Sequence, residues 1–331
     1  TTSKAPGETI TLRVNASHSD VVWIDLNKNW VKDEGEGITG FSMYRDLNYE
    51  VESQTIRLYG KVTYLYAFNN ELTALDVTKN PYLETLESNM NQLTEIDLSN
   101  NIALKQLVLT MNQLTEVDLT NNVALENVQV EINQLTELDV THNPTLNKLG
   151  VASNPLTALD ITHNPLLSNL SAAHCLITQI DFSQNPLLEI VMMSSNQLSH
   201  IDVTQNSKLK MLDVNVNNLT ELDVTRNAEL TNLYFSRTQI AEIDITQNPE
   251  LKYLTCTFNE LTALNVSQNP NLTNMDCRYN QIDCIQVSQQ QLDNIATTWQ
   301  KDNFTIYCLD CDNCGGDDGT GTVPEVPGGD L

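Results

Sequence analysis

The sequence predicts a β-rich solenoid, wound right-handed, with a parallel sheet on its concave side. Three observations predict it. The first is a 21-residue period. Asn70 returns as Asn91, Asn112, Asn133 and Asn154, then as Asn196, Asn217, Asn259 and Asn280, with Cys175 and Thr238 on the two missing rungs. The second is a pair of companion ladders in the same register. Asp stands at 76, 97, 118, 139, 160, 181, 202, 223 and 244, and Asn recurs without a break from Asn80 to Asn269. The third is a set of apolar columns, one running from Leu83 to Leu272 and another from Leu93 to Ile282. A fixed period in the twenties means one structural unit stacked many times. A turn this short cannot bury its own apolar face, so each needs its neighbours.

Residues 1–60 lack the period. ETITLRVNA, VVWIDLN and QTIRLYGKV alternate as strands do, so they are expected to form a β-rich cap over the open end of the array. Residues 61–288 hold about 11 turns. In the turn LETLESNMNQLTEIDLSNNIA, the segment from Leu86 to Ser88 has the alternation of a strand. Such segments from Leu65 to Met275 predict one parallel sheet, roughly 50 Å long at ~4.8 Å per strand, with right-handed crossovers. The Asn that leaves the strand is expected to bond the backbone of adjacent turns, because a sharp bend orphans amides and carbonyls there. The period leaves little room for a return helix. The LDVT segment is therefore read as an extended or tightly turned wall, with Pro81, Pro144, Pro165, Pro186, Pro249 and Pro270 fitting its bend. Residues 289–314 are expected to close the array. A helix is predicted over Gln289–Lys301, with Leu292, Ile295, Ala296 and Trp299 on one face, and FTIYC reads as a final strand. Gly315–Leu331 is rich in Gly, Pro and Asp and is expected to be a disordered tail.

Acidic residues outnumber basic ones 43 to 17, a formal net charge of -26. Such a chain repels nucleic-acid phosphates and anionic lipid, so neither is expected as a partner. No run approaches ~18 apolar residues, so no spanning helix is expected. The opening TTSKAPGETI has no signal-peptide apolar region; if the protein is exported, that segment has been removed. Cys256 and Cys277 lie one period apart and read as small core residues. Cys284, Cys308, Cys311 and Cys314 crowd the C-terminal end, which suggests a stapled cap and an oxidising compartment. Zinc motifs usually separate two Cys-x-x-Cys pairs and this spacing does not, so a disulfide from Cys284 to one of the other three is expected.

One segment suggests a cofactor. In DLNKNWVKDEGE, Asp25, Asn27, Asn29, the Val31 carbonyl, Asp33 and Glu36 fall at positions 1, 3, 5, 7, 9 and 12 of a calcium loop, where alternate oxygen donors wrap one ion. Trp30 stands where that loop wants Gly, and the flanks read as strands, so a polar hairpin turn is the competing reading. The Asp ladder is read as structural, since Ser or Thr follows each Asp by two residues and can donate to it. His142 and His163 are vertical neighbours without a third ligand and are read as surface residues. No nucleophile elbow, HExxH, P-loop or dinucleotide fingerprint is present, and the chain is read as non-enzymatic.

A partner is expected on the solvent side of the sheet, in the columns at 85, 87, 89 and 90. Tyr64, Tyr66, Phe68, Met90, Met111 and Ile132 stand at the N-terminal end. Gly150, Ala152, Ser153, Ser171 and Ala173 make a small-residue centre. Met192, Met211, Tyr234, Arg237, Tyr253, Phe258, Arg278 and Tyr279 stand at the C-terminal end. Tyr, Met and Arg are typical interface anchors.

The pattern LxxLxLxxNxL followed by TxLDVTxNP, over about residues 61–288, resembles the short-repeat, internalin-like leucine-rich-repeat proteins of secreted and surface bacterial type. GETITL, WIDLN and DEGE ahead of the repeats are similar to segments that precede repeats in such proteins. The resemblance implies a leucine-rich-repeat superhelix, with Cys256 and Cys277 in the column where some of these proteins carry a Cys ladder. It also implies a secreted or cell-surface adhesion module that binds a protein, on another cell or a host surface, without catalysis of its own. A glycan, stacked on the same aromatics, is the second reading.

Overall fold

A computed structural model describes residues 1–16, 22–38 and 43–314 of the chain, so the expected tail at 315–331 lies outside the described residues. Eleven short strands from Val62–Tyr66 to Asn274–Asp276 pair in parallel. Their central residues stay in register at the sequence period: Leu65 pairs Leu86, Leu86 pairs Leu107, and the row continues to Leu254 and Met275. These central residues point into one continuous core, which also takes the Leu83 and Leu93 columns. Their burial is the main stabilising term of the stack, at roughly 1.5–3 kcal/mol per fully buried Leu or Val side chain.

Hydrogen bonds between turns lock the stack. In the first Asn ladder, Asn112 donates Nδ2 to the Ser88 and Leu109 carbonyls (2.9 Å each), and its Oδ1 accepts from Leu93 N at 3.1 Å. In the second, Asn122 Nδ2 donates to the Leu98 and Asn101 carbonyls at 3.1 and 2.9 Å. The second ladder differs in one respect. The Oδ1 atoms from Asn101 to Asn269 are buried and have no hydrogen-bond partner among the described residues. The Asp ladder is structural, as the sequence suggests. Asp139 Oδ1, for example, accepts from both N and Oγ1 of Thr141, and Asp76 does the same with Thr78. The Thr hydroxyl and amide hold these carboxyls below the usual carboxylate range.

Both ends continue this bonding with other residues. At the N-terminal end, strand Thr9–Ala16 pairs antiparallel with Val62–Tyr66 and, on its other side, with Leu47–Glu50. Asn70 there exchanges two bonds with Thr11: Nδ2 to the carbonyl at 2.7 Å and Oδ1 from the amide at 2.8 Å. At the C-terminal end, Gln291 Nε2 donates to the Val266 and Asn269 carbonyls at 3.0 and 3.1 Å. Those are the acceptors that the next rung of the second Asn ladder would take. Asp302 caps the last turn differently, accepting from Tyr279 N and Asn280 N, amides of the kind that an earlier turn gives to backbone carbonyls of the next (Met90 N to Thr110, Asn91 N to Met111). Disulfides join Cys284 to Cys311 and Cys308 to Cys314.

Two expectations need correction. The helix expected over Gln289–Lys301 spans only Gln289–Asp293, opened by a Ser288 capping box and closed at Asn294. Trp299–Gln300 leaves it and extends the parallel sheet beside Asn274–Asp276. The unpaired amides and carbonyls of that sheet edge outweigh the weak preference of a short amphipathic segment. The wall is irregular over most of the array, as expected. In the last turns, however, Ala263–Asn265, Cys284–Gln286 and Ile306–Cys308 form a three-stranded parallel sheet.

Candidate interaction face

The solvent side of the sheet carries two side-chain columns. One runs through Thr85, Gln106, Lys148, Met211 and Tyr253, the other through Glu87, Gly150, Met192, Asp213 and Tyr234. Tyr253 is 42% exposed, while Met192, Met211 and Tyr234 are half-buried. In the centre, Gly150 has a specific role. A Cβ there would lie 2.0 Å from Glu131 Oε1, so the missing side chain makes room for a carboxylate that also accepts from Thr110 Oγ1 at 2.8 Å. Asp213, half-buried on the same face, has its carboxyl pushed up by desolvation, against the bond it accepts from Asn215 N.

Tyr64 is not part of this face. It is only 8% exposed, because the cap strand crosses beside it and places Asn15 opposite. Burial, and then the neighbouring Glu87, push its hydroxyl up to about 12. Tyr66 and Phe68 remain half-buried and stacked at 5.9 Å, with the Arg13 guanidinium 4.5 Å from the Tyr66 ring centroid.

The column at 90 also needs correction. It does not lie on the sheet but in the turn just beyond it. Met90, Met111, Ile132, Ser153, His174, Ser195, Val216, Arg237, Phe258 and Tyr279 all have φ between 54° and 61°. Left-handed backbone at β-branched or bulky residues is unusual and carries a local cost. Each turn meets it because the next residue must aim its side chain back into the stack. The consequence is a row of side chains along one rim, apolar at both ends and polar in the middle. At the C-terminal end the row forms a cluster. Arg237 sits 4.4 Å over Phe258, and Phe258 stacks on Tyr279 at 4.2 Å and 14°. Arg278 lies 5.8 Å from the Tyr279 ring and is held by Asp276 through Nε and Nη2. Phe258 is 42% exposed and Tyr279 55%. Sequence periodicity identified these residues, but the stack and the clamped Arg278 have no sequence signature.

The calcium-loop segment folds as a tight polar loop after strand Trp23–Asp25. Asp25 and Glu36 are buried. Asp25 accepts from Asn29 N and Trp30 N, both at 3.2 Å, and Glu36 accepts from Leu26 N and Asp33 N at 3.1 and 2.7 Å. Asn27 and Asn29 donate their amides to Asp33 Oδ2. Trp30 has φ 68°, the left-handed conformation for which that position favours Gly. The Asp25, Asp33 and Glu36 carboxylates do not bring three oxygens within 4.8 Å of one another. Among the described residues, the group of potential ligands within 4.8 Å of one another is Cys284, Cys308 and Cys314, whose sulfurs are in the two disulfides. His142 Nδ1 lies 3.7 Å from Asp139, on the exposed wall.

No family model matches the chain, and no curated protein matches it. Solved structures do. The functional domain of InlJ from Listeria monocytogenes, described as including a cysteine ladder, is 33% identical with a TM-score of 0.62, over 68% of this chain and 58% of that one. The chain thus spans somewhat over half the length of that domain. The internalin InlF of Listeria monocytogenes is 19% identical, TM-score 0.57, over 74% of this chain and 87% of that one. A structure of FLRT2 leucine-rich repeats in an octameric complex with Latrophilin 3 and Unc5D is 19% identical, TM-score 0.56, over 76% and 86%. The last two likenesses bear on fold alone. Among the described residues no helix is long and apolar enough to cross a membrane. The repeat signature, the in-register sheet and the likeness to InlJ agree: the chain is a leucine-rich-repeat protein whose repeats resemble those of the internalin InlJ.

Proposed function

We propose that this chain is an extracellular protein-binding module. Its contact surface is the open face of the sheet together with the rim row beside it. The observation that carries the reading is the exposed Arg237, Phe258 and Tyr279 stack, with Tyr253 exposed on the sheet at the same C-terminal end. Exposed stacked aromatics with a fixed guanidinium are the composition of interface anchors. The two C-terminal disulfides support an oxidising compartment. The experiment is a screen of the purified chain against arrays of extracellular proteins and of glycans, followed by titration of variants against the strongest binder. The triple variant Tyr253→Ala, Phe258→Ala, Tyr279→Ala is expected to keep its melting temperature, because these side chains leave no core cavity. Its affinity is expected to fall, by about 1–2 kcal/mol for each anchor. Undiminished affinity would move the contact off this surface, and a glycan as the strongest binder would replace the protein partner.

We also propose that the Asp25–Glu36 loop takes a calcium ion. Two buried carboxylates in one short loop, and Trp30 in the conformation a calcium loop demands at that position, support this. Binding would require Asp33 to turn from the Asn27 and Asn29 amides toward Asp25. Calcium at millimolar concentration is expected to raise the melting temperature, and Asp25→Ala to abolish the rise. Identical melting curves in calcium and in chelator would dismiss the site.

A further inference from the structure

A cavity of about 550 Å³ lies where the N-terminal cap meets the first turns of the solenoid. That volume falls within the range of about 300–1,000 Å³ usual for small-molecule sites. Ile10, Leu12 and Ile24 line it from the cap, and Leu65, Leu72 and Leu83 from the solenoid. The lining is mostly hydrocarbon, and its charges run against those of the whole molecule. On a chain of net charge -26, this cavity is lined by Arg57 and Lys79 and by one carboxylate, Asp76. Asp76 is already engaged by the amide and hydroxyl of Thr78.

Arg57 is the unusual group. It starts the strand Arg57–Tyr59, opposite Asp25. Its guanidinium lies 3.8 Å from the ring centroid of Trp30, which also lines the cavity. The ring covers one face of the guanidinium but accepts no in-plane hydrogen bond. Nη1 is buried and has no hydrogen-bond partner among the described residues. A guanidinium nitrogen removed from water without an acceptor is costly, and the acceptor that suits it best is a planar oxyanion. Asp25 does not meet that need: its oxygens accept Asn29 N and Trp30 N, and Nη1 makes no hydrogen bond to them.

We infer that this cavity binds a single-chain amphiphile with a carboxylate head, the head on Arg57 and the hydrocarbon tail between cap and solenoid. The tail gains by leaving water for an apolar lining, and the head supplies the acceptor that Nη1 lacks. An anionic bilayer is disfavoured as the source, because the acidic surface repels it. The site is separate from the rim aromatics, so it stands or falls independently of the protein-binding reading.

The test is titration calorimetry of the full chain, in chelator, with sodium dodecanoate below its micelle concentration and with dodecan-1-ol as the uncharged control. Dodecanoate is expected to bind one per chain, at least tenfold more tightly than dodecanol. Arg57→Gln is expected to weaken dodecanoate at least tenfold and leave dodecanol unchanged; Arg57→Lys is expected to recover part of the loss. Thermal melting checks that each variant folds. Should Arg57→Gln not fold, the dodecanoate-to-dodecanol ratio on the native chain and the Arg57→Lys variant decide. No dodecanoate binding, equal affinity for acid and alcohol, or unchanged affinity in the Gln variant would each overturn the inference. So would loss of binding in the Phe258→Ala, Tyr279→Ala variant, which would place the amphiphile on the rim.

Discussion

Replacing Leu219 by Ala is expected to destabilise the protein by roughly 2–5 kcal/mol, the range for large-to-small changes in a close-packed core. Leu219 is fully buried, with Leu198 below and Ile240 above it in the same column, both also fully buried. The backbone around it cannot collapse freely, because its carbonyl accepts from Gln239 N and the Leu198 carbonyl accepts from Asn218 N. The cavity therefore stays open, which puts the cost toward the upper part of the range. In a linear array the damage is local, since each turn touches mainly its neighbours. The urea transition is accordingly expected to broaden as the two halves uncouple. Chemical denaturation reads both effects. A loss below about 1 kcal/mol would mean that this column is not close-packed. Binding through the rim should change only to the extent that the chain unfolds.

The period made the solenoid legible because it carries its own register. Once Leu86 is placed inward, the pairing of Leu86 with Leu107 and of Leu233 with Leu254 follows from the spacing alone. The same logic placed the Asp ladder, whose Thr and Ser partners stand two residues away in every turn. What the sequence hid lies where the period stops. Gln291 completes the second Asn ladder and Asp302 caps amides of the last turn, both from outside the register and with different residue types, so no column pointed to them. Trp299 looked like one face of a helix, because the open sheet edge that claims it is a tertiary fact.

The candidate face was legible in part for a related reason. Alternation identifies which residues leave the core but not what covers them. Tyr64 has the same period as Tyr253, and only the cap strand from residue 9 to 16 buries it. Nor does alternation reveal where a strand ends. The row from Met90 to Tyr279 reads as a continuation of the strand, but it is left-handed in every turn. The burial of Arg57 Nη1 had no sequence signal at all, since it depends on how two non-repeating strands sit against the first turn.

The two Asn ladders look alike in sequence, and their side chains differ in one bond. That difference predicts unequal losses when each is cut. Asn133 donates Nδ2 to the Leu109 and Val130 carbonyls at 3.0 Å each, and its Oδ1 accepts from Leu114 N at 3.0 Å. Asn133→Ala therefore leaves the buried Leu114 N without a partner, while the Leu109 and Val130 carbonyls lose one donor each and keep Asn112 and Asn154. Asn164 donates Nδ2 to the Val140 and Asn143 carbonyls, both at 2.9 Å, but its Oδ1 accepts nothing among the described residues. Asn164→Ala orphans neither carbonyl, since Val140 O still accepts from Asn143 N and Asn143 O from Leu146 N, and it removes an acceptor that was unpartnered already. With roughly 1–3 kcal/mol for a buried polar group left unsatisfied, Asn133→Ala, which orphans one amide, is expected to cost about 1–3 kcal/mol more than Asn164→Ala, which orphans none. Denaturation of the two Ala variants side by side measures the difference directly. An equal or larger loss at Asn164 would mean that its Oδ1 does accept a hydrogen bond, and that the two ladders are equivalent after all.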